Sequence, residues 1–203
     1  MKLRTILSLS LILFILVADQ ALKIAVKTHM SLYEHIVVTE WFHITFVENR
    51  GMAFGMDFIG TAVLTVFRFL AVGAFCWCLA HCIRRRYPMG FITCLSLVIA
   101  GALGNIIDNC IYGLVFSESQ PANPFFAPIA EFVPFGKGYG SFLSGRVVDM
   151  FYFPLWQWPE SWPIIGGRTF FGAVFNLADV AISVGAVAII LFHYRQLSEI
   201  LKK

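Results

Sequence analysis

The chain reads as an all-α membrane protein: a four-transmembrane-helix bundle with a small extracytoplasmic β-rich segment and an extracytoplasmic loop insertion. Composition, four apolar stretches of spanning length, and basic residues gathered on one side of them carry that reading. Of 203 residues 59% are hydrophobic and only 13% are charged, where a soluble domain carries about 25% charged residues, and the mean hydropathy is +0.77. This composition argues against a water-soluble domain. The net charge of +3 is small and scattered, which argues against nucleic acid as a partner.

A spanning helix needs roughly 20 mostly apolar residues, and the stretches 6–25, 61–82, 91–115 and 169–194 qualify. Lys2 and Arg4 precede the first. They also resemble the basic start of a cleavable signal peptide, but no small-x-small cleavage site follows and apolar residues resume at Ala21 and Leu22, so a retained span is expected. The outward segment 27–60 holds Ile36 to Val38 and Trp41 to Val47, rich in β-formers and followed by Glu48-Asn49-Arg50-Gly51, which predicts a small sheet with a turn. Arg84, Arg85 and Arg86 separate the second and third spans, and Arg195, Lys202 and Lys203 follow the fourth. Four spans put all three basic groups on one face, which the positive-inside rule makes cytoplasmic, with both termini. The outward segment 116–168 carries Pro121, Pro124, Pro128, Pro134, Pro154, Pro159 and Pro163, which argues against a fifth helix. Phe151, Trp156, Trp158 and Trp162 suit a membrane-surface belt. The whole chain, 1–203, is expected to form a single integral membrane domain.

Against this apolar background, acids stand out. A carboxylate at the bilayer centre costs on the order of 2.5 to 3.5 kcal/mol, yet Asp19, Asp108 and Asp179 lie within the predicted spans and Asp149 lies just before the fourth. At about 1.5 Å of rise per residue they gather toward the outer leaflet. Each polar residue also has a structural reading. Asp19 and Lys23 have the i,i+4 spacing of a helical ion pair. Gly101, Gly104 and Asn105 suit either close helix packing or substrate contact, and Asp108 suits a cap or a pair. Asn176 and Asp179 share a helical face, where a buried unpartnered carboxylate has no structural explanation. Asp149 stands between Val147-Val148 and Met150-Phe151, in an apolar setting equally open to either reading. Two carboxylates held close share a proton and so supply a general acid and a general base together. The five cysteines lack CxxC spacing and the five histidines form no HExxH pattern, so no metal site is expected.

Five pieces occur in order: Asp19-Gln20-Ala21-Leu22-Lys23, Asn49-Arg50-Gly51-Met52-Ala53-Phe54-Gly55, Gly104-Asn105-Ile106-Ile107-Asp108, Val147-Val148-Asp149-Met150-Phe151, and Phe175-Asn176-Leu177-Ala178-Asp179. In them the chain resembles the lipoprotein signal peptidase (signal peptidase II) family, membrane aspartyl proteases that trim bacterial prolipoproteins. The resemblance implies that Asp149 and Asp179 are the catalytic pair, that Asn49, Gly101, Asn105 and Asn176 bind substrate, and that Asp19, Lys23 and Asp108 support the site. It implies water attack without a covalent intermediate, no metal or organic cofactor, and a diacylglyceryl-prolipoprotein substrate cut on the amino side of the lipidated cysteine. It further implies a monomer among membrane lipids in the bacterial cytoplasmic (inner) membrane.

Two departures from the family pattern bear on the site. An arginine commonly follows the third-span aspartate, where this chain has Asn109; a basic contact is then absent or supplied from elsewhere, with Arg146 and Arg168 as candidates. The interval from Asp108 to Asp149 is long for the family, so 117–146 reads as an insertion able to extend over the site as a lid. Two other classes compete: a proton-coupled transporter or channel, since acids within spans relay protons, and a non-catalytic assembly subunit docking through the aromatic outward loop. The acids on one side only fit a relay poorly, and activity surviving loss of both acids would favour the subunit.

Overall fold

The computed structural model describes residues 1–49, 61–123 and 125–202. The first helix, α1 (Lys2–His29), is 28 residues long, about 42 Å at 1.5 Å per residue. Its burial is inverted relative to a soluble helix: Ser8, Asp19, Lys23 and Lys27 are buried, while Leu13, Phe14 and Val17 are exposed. Residues 19, 23 and 27 recur every four positions and so form one polar stripe. That stripe faces the bundle and the apolar faces are left for lipid, the arrangement expected where only internal partners can satisfy polar groups.

α2 (Thr61–Arg84) and α3 (Met89–Ile107) follow as a helical hairpin. α3 continues into a π-helical turn (Asp108–Tyr112) and one final turn, α4 (Gly113–Val115). It is the central helix, packed against α1, α2 and α5 (Leu177–Phe192). Glycines set that proximity: a Cβ on Gly101 would lie 2.2 Å from the Ala178 carbonyl oxygen, and one on Gly185 would lie 2.6 Å from that of Cys94. Leu79, Phe91, Ile92, Leu95, Ile99 and Ile189 form the apolar core at the end of the bundle carrying the α2–α3 turn.

Three helices, α1, α2 and the α3–α4 unit, are long and apolar enough to cross a membrane. The fourth span departs from expectation. Residues 169–176 are strand and loop, so α5 has only 16 residues, and the helix breaks at His193 with a 90° bend into α6 (Tyr194–Leu201). The pair qualifies as a span only when taken together. Leu197 and Ile200 of α6 fold back onto the core.

The fold is mixed rather than all-α. β1 (His35–Thr39) and β2 (Phe42–Asn49) form the hairpin that the β-forming residues predict, but the turn lies at Glu40–Trp41 and β2 runs on through Asn49. Residues Arg50 to Gly55 of the expected turn and motif lie outside the described residues. Two further strands, β3 (Val147–Tyr152) and β6 (Val174–Phe175), complete an antiparallel sheet in the order β1-β2-β3-β6. The run around Asp149 is thus a strand, and Phe151 packs against Phe42 and Phe175. A separate hairpin, β4 (Trp156–Gln157) with β5 (Thr169–Phe170), exposes Trp156; the nearby Trp162 is exposed as well.

Segment 117–146 contains no helix among the described residues. Backbone bonds fasten it to the C-terminal end of the α3–α4 unit and to the connection between α1 and β1: Val133 N to Val115 O (2.8 Å), Gly140 N to Gly113 O (2.8 Å), Gly145 N to Asn109 O (2.9 Å) and Leu32 N to Gln120 O (3.0 Å). Below it, Lys27 is buried among Phe46, Phe116 and Tyr139 and pairs with Glu48, which also binds Arg146 at 3.1 Å. The backbone bonds dock the segment on the ends of the helices.

Candidate active site

Sheet pairing and one helix cap bring the two acids together. Strand β3 is held from one side by β2, with Val47 opposite Asp149 and Asn49 opposite Val147, and from the other by β6, with Phe151 opposite Phe175. Successive strand side chains alternate in direction. Val148 and Met150 accordingly enter an apolar cluster with Phe46, Tyr112 and Phe116, while Asp149 points the other way, on the face it shares with Asn49. β6 leads directly into Asn176, the N-cap of α5. The Asn176 side chain accepts from Asp179 N at 2.9 Å, and the Asp179 carboxylate accepts from Asn176 N at 3.2 Å, a reciprocal capping box. Asp179 therefore sits on the first turn of its helix, nearer the sheet than a span beginning at 169 would place it.

Asn176 links both acids. Its Nδ2 donates to Asp149 Oδ1 at 2.7 Å and to Asn105 Oδ1 at 3.2 Å, and Asn105 Nδ2 donates to Asp179 Oδ1 at 2.9 Å. Asn49 adds a side-chain hydrogen bond to Asp149. Asp149 is buried, 3% exposed, whereas Asp179 is only partly buried. Burial first, and then the charge of Asp179, push the Asp149 carboxyl up to about 7. Asp179 lies where the partial positive charge of a helix N-terminus stabilises an anion.

Beneath the acids lies a buried ionic hub. Lys23 Nζ contacts Asp19 Oδ2 at 2.9 Å, Asp108 Oδ2 at 2.8 Å and Asn105 Oδ1 at 2.9 Å. Asp19 Oδ1 accepts from Ala178 N at 2.9 Å, tying α1 to the first turn of α5. Gln20, not singled out from sequence, donates to Asp108 Oδ1 at 2.8 Å and receives a bond from Tyr112 Oη at 3.2 Å. One buried ammonium between two carboxylates satisfies the rule that interior charges are paired, and Asn105 connects the hub to Asp179. Gly101 lies one turn before Asn105 on α3, against the Ala178 backbone. An open apolar groove begins at Asp179 and is lined by Phe171, Phe175, Val180, Ser183 and Val184.

Residues 11–195 match the family model described as signal peptidase (SPase) II. The chain belongs to the signal peptidase II family. A lipoprotein signal peptidase of Porphyromonas gingivalis is 45% identical over 197 residues, covering 95% of this chain and 84% of the relative. Those of Amoebophilus asiaticus, 32% identical over 88% of this chain and 74% of the relative, and Chlorobium luteolum, 30% identical over 91% and 89%, are also similar. A solved bacterial membrane enzyme has the same fold, with a TM-score of 0.59 at 22% identity, covering 95% of this chain and 90% of that one.

Within the signal peptidase II family, the residues that depart from pattern are now placed. Arg146, a candidate for the basic contact, binds Glu48 and Glu118 and lies over Tyr139. Arg168 is exposed in the β4–β5 connection. A different arginine, missed in the sequence, points at Asn109: Arg68 Nη1 on α2 donates to Asn109 Oδ1 at 2.5 Å. Its signal was present, since Arg68 is the only Asp, Glu, Lys or Arg in 61–83.

Proposed function

We propose that the protein is an aspartyl endopeptidase that removes the signal peptide from diacylglyceryl-modified prolipoproteins, cutting on the amino side of the lipidated cysteine. The observation that carries the reading is the convergence of Asp149 and Asp179 on Asn176, which hydrogen-bonds both through separate atoms. A buried carboxyl raised to about 7 beside a second acid at a helix N-terminus is the pairing that general acid–base hydrolysis requires.

In this reading the pair shares one proton, so that one acid is ionised and serves as the base while the other is protonated. The base removes a proton from a water molecule as its oxygen attacks the scissile carbonyl carbon, while the proton on the other acid hydrogen-bonds the carbonyl oxygen. The tetrahedral intermediate then collapses, the carbon–nitrogen bond breaks, and the amine of the cysteine leaves with a proton delivered by the pair. Asn49, Asn105 and Asn176 hold the acids and line the substrate's path. Lys23, Asp19 and Asp108 fix α1, α3 and α5 relative to one another. The groove from Asp179 along α5 suits an acyl chain or the apolar signal helix. The positive-inside rule, applied to the basic groups, supports cytoplasmic termini and a cytoplasmic α2–α3 turn, with the acids and the sheet toward the outer face.

The test is incubation of purified protein with a diacylglyceryl-modified prolipopeptide and with the same peptide unlipidated. Mass spectrometry should locate one cut before the modified cysteine and none in the unlipidated peptide. Equal cleavage of both, or a cut elsewhere, overturns the reading.

A further inference from the structure

Arg68 is a cation on a stretch of α2 whose neighbours in sequence are apolar. Phe67, Phe69 and Leu70 beside it are exposed, whereas Arg68 is partly buried against the π-helical turn. A basic residue within a span costs on the order of 2.5 to 3.5 kcal/mol, and such residues generally pair with an acid or serve a site. Among the described residues Arg68 forms no ion pair within 4.0 Å. Its hydrogen-bond partner, Asn109, follows Asp108, whose Oδ2 accepts from Val148 N at 3.4 Å, one residue before Asp149. The guanidinium is thus held against the segment that adjoins the strand bearing Asp149, without being neutralised by an ion pair.

The side chain is held at one edge. Asn109 is fully buried; its Nδ2 donates to Gly145 O at 2.7 Å and its backbone oxygen accepts from Gly145 N. Those bonds fix which amide atom faces α2: Oδ1 is the acceptor, and it takes one Nη1–H of Arg68. A guanidinium carries five donors in a planar fork, so a single anchored N–H orients the remainder. Gly145 immediately precedes Arg146 and β3, and a Cβ there would lie 2.1 Å from Asp108 O, which keeps this anchor close to the strand bearing Asp149. An arginine at 109 could not accept this bond; the pair works as Asn109 with Arg68.

We propose that Arg68 is a substrate-anchoring residue: its guanidinium, oriented by Asn109, donates to a carbonyl oxygen of the substrate beside the scissile bond and sets that bond between Asp149 and Asp179. This rests on the peptidase reading above. The partner is a carbonyl of the peptide or of the acyl ester, both neutral acceptors that a fixed fork recognises.

The experiment measures kcat and KM on the diacylglyceryl prolipopeptide for wild type, Arg68→Gln, Arg68→Lys and the transposed Arg68→Asn/Asn109→Arg, with thermal midpoints for each. Arg68→Gln should raise KM at least tenfold, and Arg68→Lys, which keeps the charge but loses the fork, should fall between. The transposed pair should recover part of the loss. A purely structural role would lower apparent kcat through the active fraction and leave KM unchanged, so a wild-type KM in Arg68→Gln overturns the proposal. Should Arg68→Gln fail to fold, the KM of Arg68→Lys decides on the same criterion. Repeating the series on an ether-linked dialkyl analogue separates the two acceptors: a penalty that persists assigns the contact to the peptide carbonyl, and one that disappears assigns it to the ester. Failure of wild type to cleave would count against the peptidase reading, whereas a cleaving wild type with an indifferent Arg68→Gln counts against Arg68 alone.

Discussion

Asp149→Asn should stabilise the protein while abolishing its activity, and the stabilisation should depend on pH. In the folded chain burial and then the charge of Asp179 raise the Asp149 carboxyl from 3.8 to about 7. The folded state consequently binds a proton more tightly than the unfolded chain between those values, and stability falls as pH rises through that window and levels off above about 7. At about 1.4 kcal/mol for each tenfold in proton affinity, the ionised carboxylate costs the folded state about 4 kcal/mol. Asparagine retains an oxygen for the Asn176 Nδ2 donor and never ionises. Relative to wild type the variant should therefore gain little near pH 4 and up to about 4 kcal/mol at pH 8, about 10 °C for a chain of this size. Thermal unfolding in detergent, followed by tryptophan fluorescence from pH 4 to 8.5, reads the difference directly. A gain of the same size at both ends of the range would refute the reasoning, since it would come from packing rather than from the carboxyl's ionisation.

Other residues give separate expectations. Lys23→Met leaves Asp19 and Asp108 buried without their common partner and should cost about 3 to 5 kcal/mol, visible as a lowered unfolding midpoint. Gly101→Ala places a methyl 2.2 Å from the Ala178 carbonyl oxygen; prising α3 from α5 should cost about 1 to 3 kcal/mol or more and reduce cleavage, because Ala178 immediately precedes Asp179. Asn176→Ala removes the donor to Asp149 and the cap of α5. It should lower stability by about 1 kcal/mol and kcat by at least about 100-fold, the scale of losing a positioned catalytic hydrogen bond; a kcat within a factor of two of wild type would remove Asn176 from the account.

Spanning helices and ionisable residues were legible because the bilayer makes both conspicuous. Twenty apolar residues have few alternatives, and acids at 19, 108 and 179 interrupt them; Asp19 with Lys23 even gave its pairing through i,i+4 spacing, and the structure shows that contact at 2.9 Å. The sheet was half legible. Residues 35–49 read as strands from their own composition, but β3 and β6 are short and exist because they pair with partners more than twenty residues distant in sequence, which local pattern does not reveal. The same non-local pairing moved the start of the fourth helix from 169 to 177 and placed Asn176 as its cap. Arg68 was hidden for a different reason: its meaning lies in Asn109, 41 residues further on, and a lone arginine in an apolar run does not name its partner. Arg146, named from sequence as a candidate for the basic contact, has its guanidinium on Glu48 and Glu118.

The central claim is that Asp149 and Asp179 act together on one bound water. Its most direct test is single-turnover cleavage of the diacylglyceryl prolipopeptide by wild type, Asp149→Asn, Asp179→Asn and the double variant, each confirmed as folded. The account predicts that either single change removes cleavage as completely as both together, because a pair that shares one proton has no half-active form. Substantial turnover by either single variant, or losses that multiply in the double variant, would contradict it.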